Sequence, residues 1–547
     1  MSFIKRFKLG KSYELDEPLK FNCHSRPTSR RDVLAQGFRA GLGTVVAPSL
    51  LGLAASNRAN ALSSDLQQRL IDCNITAGAG KIPFICFDLA GGANVAGSNV
   101  LVGGPGGQKD MLSTAGYGKQ GLPGDMIPGQ VEATPTATSN GDHTDDTLGL
   151  SFHSDSQFLA GILEKTSVGT QANINGAVIA ARSENDTGNN PHNPMYAISL
   201  AGARGQLLSL VGSRSSESGG NSMAPISVIR SDVRPTKIDR ASDVTGLVDV
   251  GDFGALTPEQ VVSVMESVSR ISDAKLDVSS LGLSDQARSD AIKLQSSCAY
   301  VKSAYLAEQF PNPAALDPAA DTDIVGGANS IFTADEFNSD REFQKTASVM
   351  KLVLNGQAGA GTIAMGGYDY HTGERSTGER RDLRAGRCMG ACLEYAARRG
   401  VPLMMYVYSD GSVFSNGMLD NSEGGRGKGV WTGDNQQTAS AFFLLYNPNG
   451  RSLTVGGATG ANGLGTQLGY MRPSGDVETS SSPAANNVPS LVGLVTMNYL
   501  ALHGEQASFL TSGSPYQGIS QGFTPSSLDN FTAFAPVLGP GQKVQFS

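Results

Sequence analysis

The chain has 547 residues, 68 of them glycine, and its 17% of charged residues falls well below the quarter or so that is usual. With 39% hydrophobic residues and a net charge of only −8 it is not a disordered chain, and 42 basic against 50 acidic residues leave no electrostatic footprint for nucleic acid. One tryptophan, no heptad array and no Gly-X-Y repeat exclude a coiled coil and a collagen rod.

Residues 29–34 read Ser-Arg-Arg-Asp-Val-Leu, with a moderately apolar run from Gly37 to Ala55 behind them and Ala59-Asn60-Ala61 at its end. Paired arginines, a weakly apolar segment and a small-x-small site are the parts of a twin-arginine export signal. The resemblance to that signal is good at Ser29, Arg30, Arg31 and Leu34; Val33 and Ala35 stand where Phe and Lys are usual. A transmembrane anchor is the other reading, and the length suits one. Arg39 inside the run, the breakers Gly37, Gly41, Gly43 and Pro48, and the Ala-x-Ala site weigh against it. The expectation is a signal over 1–61, mature protein from near Leu62 with no membrane span, and a periplasmic or extracellular location. Cys23 leaves with the leader. Cys73, Cys86, Cys298, Cys388 and Cys392 remain, an odd set that allows one or two bridges but no complete disulfide framework. Cys388 and Cys392, four apart on a predicted helix, read as small packing residues.

In the mature chain, Ile82–Leu89 reads as a strand entering Gly91-Gly92-Ala93-Asn94, and a Gly/Pro-rich stretch from Gly103 to Ser139 as a long loop. Ser156–Leu163 is an amphipathic helix and Ala177–Ala181 a buried strand, followed by a polar loop over 183–194. Thr257-Pro258-Glu259-Gln260 is a capping box opening a helix to about Lys275. A second helix covers about Ser284–Gln309, and Thr333-Ala334-Asp335-Glu336 caps a third that continues to Leu354. Strand Thr362–Met365, helix Gly378–Arg399 with its arginine-studded face, strands Leu403–Tyr408 and Ala439–Leu445, and helix Leu491–Leu502 complete the pattern. Strands separated by helices predict an α/β fold: a mostly parallel central sheet covered on both faces. The expected division is an N-terminal half of that core over 62–240, a helical cap over 241–356 and a C-terminal half over 357–547.

Ligands of open parallel sheets collect beyond the carboxyl ends of the strands. Four polar clusters hold such positions: Asn94 after the first strand, Gly366-Gly367-Tyr368-Asp369-Tyr370-His371, Ser409-Asp410-Gly411, and Thr432-Gly433-Asp434-Asn435 beside Ala439–Leu445. Aspartate and histidine suit Zn, Mg or Mn. The acidic stretch Asp142–Asp146 lacks the alternation of a calcium loop and reads as a solvated loop. Gly103–Gly107 lacks the Gly-Lys-Ser ending of a P-loop.

In this order the clusters resemble a group of twin-arginine-exported bacterial proteins of the alkaline-phosphatase/sulfatase-like superfamily. Its members typically show a strand ending in a LRGGxDG-like loop, then GGWDTH, SEFGRT and TDHG. The corresponding stretches here are Leu89–Asn94, Gly366–His371, Ser409–Ser412 with Asn416, and Gly433–Asn435, and the resemblance covers roughly 29–500 with the middle unmatched. Asn94 stands where the family has Asp, Asp410 where it has Glu and Asn435 where it has His. The resemblance implies a metal-dependent hydrolase of phosphate or sulfate esters. Its divalent ion would be held by Asp369, His371 and one of Asp410 or Asp434, with Asn94 nearby; the departures equally fit a scaffold whose metals are absent.

Superfamily enzymes carry a nucleophilic Ser or Thr at a helix start after a core strand. Ser183 is the position to test, with Arg182 as oxyanion partner; a Ser that merely caps the loop is the other reading. His192 in the same loop is expected to face solvent. The partner is then a small anionic ester or, if the scaffold is non-catalytic, an envelope partner, and the oligomeric state is not legible.

Overall fold

The computed structural model describes residues 62–73, 80–131, 140–183, 190–248, 256–278, 286–310, 312–373 and 375–546. The twin-arginine leader and its cleavage site at Ala59–Ala61 lie outside the described residues. Two compact units are formed, one from the segments 62–73, 256–278 and 286–310, the other from 80–248 and 312–546.

In the smaller unit, helix Ser64–Asp72 packs with helices Pro258–Val278 and Gln286–Gln309 around Leu66, Val261, Met265, Ala304 and Tyr305. The expected capping box is formed: Thr257 N–H donates to Gln260 Oε1, and Gln260 N–H to Thr257 Oγ1. A disulfide joins Cys73 to Cys298, closing a separation of 225 residues. Cys86, Cys388 and Cys392 are free and buried, as packing residues would be.

The larger unit is built on one sheet. Its strands are Phe84–Leu89 (β1), Ile174–Ala180 (β2), Leu208–Gly212 (β3), Thr236–Lys237 (β4), Ala358–Met365 (β5), Leu403–Tyr408 (β6), Ser440–Tyr446 (β9) and Gln467–Leu468 (β10), while Val413–Asp420 (β7) and Lys428–Asp434 (β8) form a separate ribbon. The order is β10-β2-β9-β6-β1-β5-β3-β4. Only β9 runs antiparallel to its neighbours; every other pairing is parallel. The chain is therefore α/β with a mostly parallel central sheet, and the segments Ile82–Leu89, Ala177–Ala181, Leu403–Tyr408 and Ala439–Leu445, expected to share one core, all contribute strands to it. β9 reverses because the chain leaves β6 at Tyr408, makes the β7–β8 ribbon at that edge and turns back, so no crossover is needed.

One face of the sheet is covered by Arg341–Leu354 (α3) and Ser376–Arg399 (α4), with Gln157–Lys165 (α1) laid on α4. A methyl placed on Gly161 would lie 2.4 Å from the Leu383 carbonyl oxygen, and one on Gly386 2.3 Å from that of Phe158. Paired glycines thus let α1 and α4 touch backbone to backbone. The opposite face carries Met195–Leu200 (α2) and Val488–Ala501 (α5), with Tyr499 edge-on to Phe84 at 5.9 Å.

The segment 241–356 does not form a single insertion: 256–278 and 286–310 belong to the smaller unit, while 312–356 belongs to the larger one, where α3 covers β5. Nor does the helix capped at Thr333 continue to Leu354. It ends at Ser339, and extended Asp340 starts α3 afresh by accepting the Glu342 N–H at 2.8 Å.

Candidate metal centre

All five loops of interest meet at one edge of the sheet. β1, β2, β5 and β6 end there, and antiparallel β9 begins there, with Ser440 opposite Ala180. The loops after β1 and β5 continue the ladder, since Ala90 N–H donates to Met365 O and Tyr368 N–H to Ala90 O, both at 3.2 Å. Gly91, at φ +119°, lies so close that a methyl there would stand 2.5 Å from the Asp369 nitrogen. Only glycine fits this contact.

On this frame Asp369, His371 and Asp434 come together, with one donor atom from each within 4.8 Å of the other two. The carboxylate oxygens of Asp369 and Asp434 lie 2.5 and 2.8 Å from His371 Nδ1. Neither is aligned as a hydrogen bond, and Nδ1 is buried without such a partner. These are ion-pair separations, and the donor set itself, a nitrogen with two carboxylates, is of the kind that suits Zn, Mg or Mn. The Asp369 side chain is 60% exposed, so the cluster opens to solvent.

Asp434 also lines a cavity of about 390 Å3 together with Ser183, Ser412, Asn435 and Gln436. Ser183 is only 3% exposed, and its Oγ is buried without a hydrogen-bond partner among the described residues. Arg182 turns elsewhere. Its Nη1 donates to Asn486 Oδ1 at 2.9 Å, and with Ser183 it lines an adjoining cavity of about 180 Å3.

The remaining two expected ligands are not joined to the cluster. Asn94 donates its side-chain amide to Ser98 Oγ, one turn along its own loop, while its backbone N–H donates to the Tyr370 hydroxyl at 2.8 Å. Asp410 is 1% exposed and accepts the Gly91 N–H at 2.7 Å. Its neighbour Ser409 accepts from Gly92 N–H and Ala93 N–H and donates to Leu89 O. The Ser409-Asp410 pair is thus a clamp on the first glycine loop. His192 departs from expectation as well: it is 2% exposed and stacked on Tyr408, and burial pushes its pKa down to about 3. The Asp142–Asp146 stretch is not the solvated loop expected: Thr144–Asp145 pairs antiparallel with Phe152–His153, and His143 and Thr144 are buried, while Asp142 accepts from Thr144 and Asp146 from Ser151.

Sequence reading missed the buried ionic network that holds this edge together. Lys428, fully buried on β8, bonds Glu379 Oε2 at 2.9 Å and the Asp155 carbonyl at 2.7 Å. Glu379 also binds Arg375, whose guanidinium lies 4.4 Å over the Trp431 ring, and Asp155 binds Arg426. Burial opposes ionisation of Asp155, yet Arg426 and Lys428 hold its carboxyl below the usual range. A pattern of charged residues with scattered spacing gives no sign of such long-range pairing.

Asp382 on α4 ties this network to the site loop, accepting from the Tyr370 hydroxyl at 3.2 Å and from Asn99 at 2.9 Å. Burial, reinforced by the Glu379 charge, pushes its pKa up from 3.8 to about 8. The folded chain therefore keeps a proton on Asp382 that the unfolded chain releases, and through this group stability falls as pH rises from about 4 to about 8. Asp382→Asn is expected to remove that slope, so its urea midpoint should gain on the wild type across that window. A midpoint difference that does not change with pH would contradict the assignment.

Comparison with protein-family models and with curated proteins finds no match to this chain.

Proposed function

We propose that the protein is an exported, divalent-cation-dependent hydrolase of phosphate or sulfate monoesters, of the alkaline-phosphatase/sulfatase-like kind. The observation that carries this reading is the meeting, at one sheet edge, of a two-carboxylate, one-imidazole donor set with a buried, unpartnered Ser183 hydroxyl across a shared cavity. Asp369, His371 and Asp434 would hold the ion, which when bound supplies positive charge that draws electron density from the ester's non-bridging oxygens. Ser183 Oγ attacks the phosphorus or sulfur; the ester oxygen leaves with its bonding pair and takes up a proton. Water then releases the anion from Ser183 and restores the hydroxyl.

Export is supported by the leader motif and by the Cys73–Cys298 disulfide, a bond that persists in oxidising compartments. No helix among the described residues is long and apolar enough to cross a membrane. Replacing Arg30 and Arg31 with Lys is expected to leave the precursor in the cytoplasm; undiminished export would contradict the twin-arginine route.

The enzyme reading is tested by Ser183→Ala, which should keep its metal and lose about 10⁴-fold or more in turnover of aryl phosphate or aryl sulfate. Unchanged turnover would remove Ser183 as nucleophile. A second reading, a non-catalytic binding protein on the same scaffold, is favoured by the commitment of Asn94 to Ser98 in its own loop and of Asp410 to the Gly91 N–H of the first glycine loop. It predicts no turnover in the wild type.

A further inference from the structure

The loop that carries Asp369 and His371 begins with Gly366-Gly367, and two arginines from distant parts of the chain lie against these glycines. A methyl on Gly367, which sits at φ +93°, would be 2.9 Å from the guanidinium carbon of Arg381, and one on Gly366 would be 3.4 Å from Arg214 Nη2. Successive Cα atoms are about 3.8 Å apart, so the two cations are brought to neighbouring points of one backbone. Arg381 comes from the second turn of α4, and its own carbonyl accepts the hydroxyl of fully buried Tyr368 at 2.8 Å, which fixes it under the loop. Arg214 follows β3; its backbone N–H donates to the Gly219 carbonyl at 3.0 Å, and its side chain is exposed.

Neither guanidinium has an ion-pair or hydrogen-bond partner among the described residues, although other arginines of α4 do: Arg387 meets Glu164, and Arg398 meets Glu394. Arg214 is exposed and Arg381 half-buried, so both can reach a ligand, and each presents a planar fork of donors matched to oxyanions. A side chain on Gly367 would crowd the Arg381 guanidinium, while one on Gly366 would make ordinary contact with Arg214. The pair also stands at the start of the loop that supplies two of the three acidic and imidazole donors.

We infer that Arg214 and Arg381 form an oxyanion-binding pair beside the Asp369–His371–Asp434 cluster, taking a phosphate, sulfate or carboxylate group of the substrate. The inference deepens the hydrolase reading and rests on it for the word substrate; the binding itself needs no metal.

The test is calorimetric titration of inorganic phosphate, sulfate and acetate into the full chain after removal of metal with a chelator. The wild type should bind phosphate or sulfate more tightly than acetate if the pair takes a tetrahedral anion, and acetate at least as well if it takes a carboxylate. Arg214→Gln and Arg381→Gln should each weaken binding at least about tenfold, with Arg→Lys variants in between because lysine lacks the fork. The Lys variants and a thermal melt of each protein separate lost binding from lost folding. No binding by the metal-free wild type, or wild-type affinity in the Gln variants, would overturn the inference while leaving the metal cluster untouched. Anion binding that depends on both arginines, in a protein that takes up no metal and turns over no ester, would leave the pair standing and sink the hydrolase reading.

Discussion

His371→Ala is expected to release the divalent cation and abolish ester hydrolysis, while Arg214 and Arg381 still bind anions. Residues that merely orient a metal ligand are worth about 10- to 100-fold in affinity or activity, so loss of one of three ligands should exceed that range. His371 is the strongest test of the three. Carboxylate oxygens of both aspartates approach its Nδ1, at 2.5 and 2.8 Å, so it is the member of the cluster that touches the other two. Metal content and turnover should fall together across Asp369→Ala, His371→Ala and Asp434→Ala. If turnover falls with metal content unchanged, the cluster is not the metal centre. A cluster that only shaped the loop would change neither.

The largest stability effect is expected at Lys428. Its ammonium is fully buried and bonds both Glu379 and Asp155, so Lys428→Met would leave Glu379 dependent on Arg375 alone and Asp155 on Arg426 alone. Breaking a buried pair by removing one partner costs about 3–5 kcal/mol, enough to bring a marginal domain close to unfolding. Denaturant titration of Lys428→Met should show a loss of that size. The double variant Lys428→Met with Glu379→Gln should recover part of it, because one stranded charge is gone. A change below about 1 kcal/mol in the single variant would mean that the ionic network is not what holds the ribbon to α4. Since β8 carries both Lys428 and Asp434, the same variant should also loosen the metal cluster.

The strands that were legible in the sequence are those written as continuous apolar runs between glycine loops. Leu403–Tyr408 agrees at both ends, and the run from Ile82 and the Ala439 segment are each displaced by a residue or two. The β7–β8 ribbon was not legible. Its strands mix Ser, Asn, Gly and Asp because they stand mostly outside the sheet, with residues 416–419 exposed, so no apolar period marks them. β3 was missed for a different reason: Leu208–Gly212 has apolar residues but is too short to distinguish from a loop.

At the site, Asp369 and His371 were legible because one short motif carries both, and Asp434 because it adjoins a recognisable strand. Which of Asp410 and Asp434 joins Asp369 and His371 was not legible, because the backbone N–H that Asp410 accepts and the Ser98 side chain that Asn94 meets are chosen by the folded loops and leave no spacing in the sequence. His192 went from an expected surface position to the interior through a stack on Tyr408, a residue more than two hundred positions away. Arg214 could not have been paired with Arg381 before the fold brought both to Gly366-Gly367.

The most direct test of the central claim is elemental analysis of protein purified after export, run beside an aryl phosphate and aryl sulfate assay before and after chelation. The account predicts about one divalent ion per chain and a turnover that vanishes with the ion and returns on its replacement. A wild-type protein with no bound metal and no turnover on either ester, even after divalent cations are supplied, would contradict it.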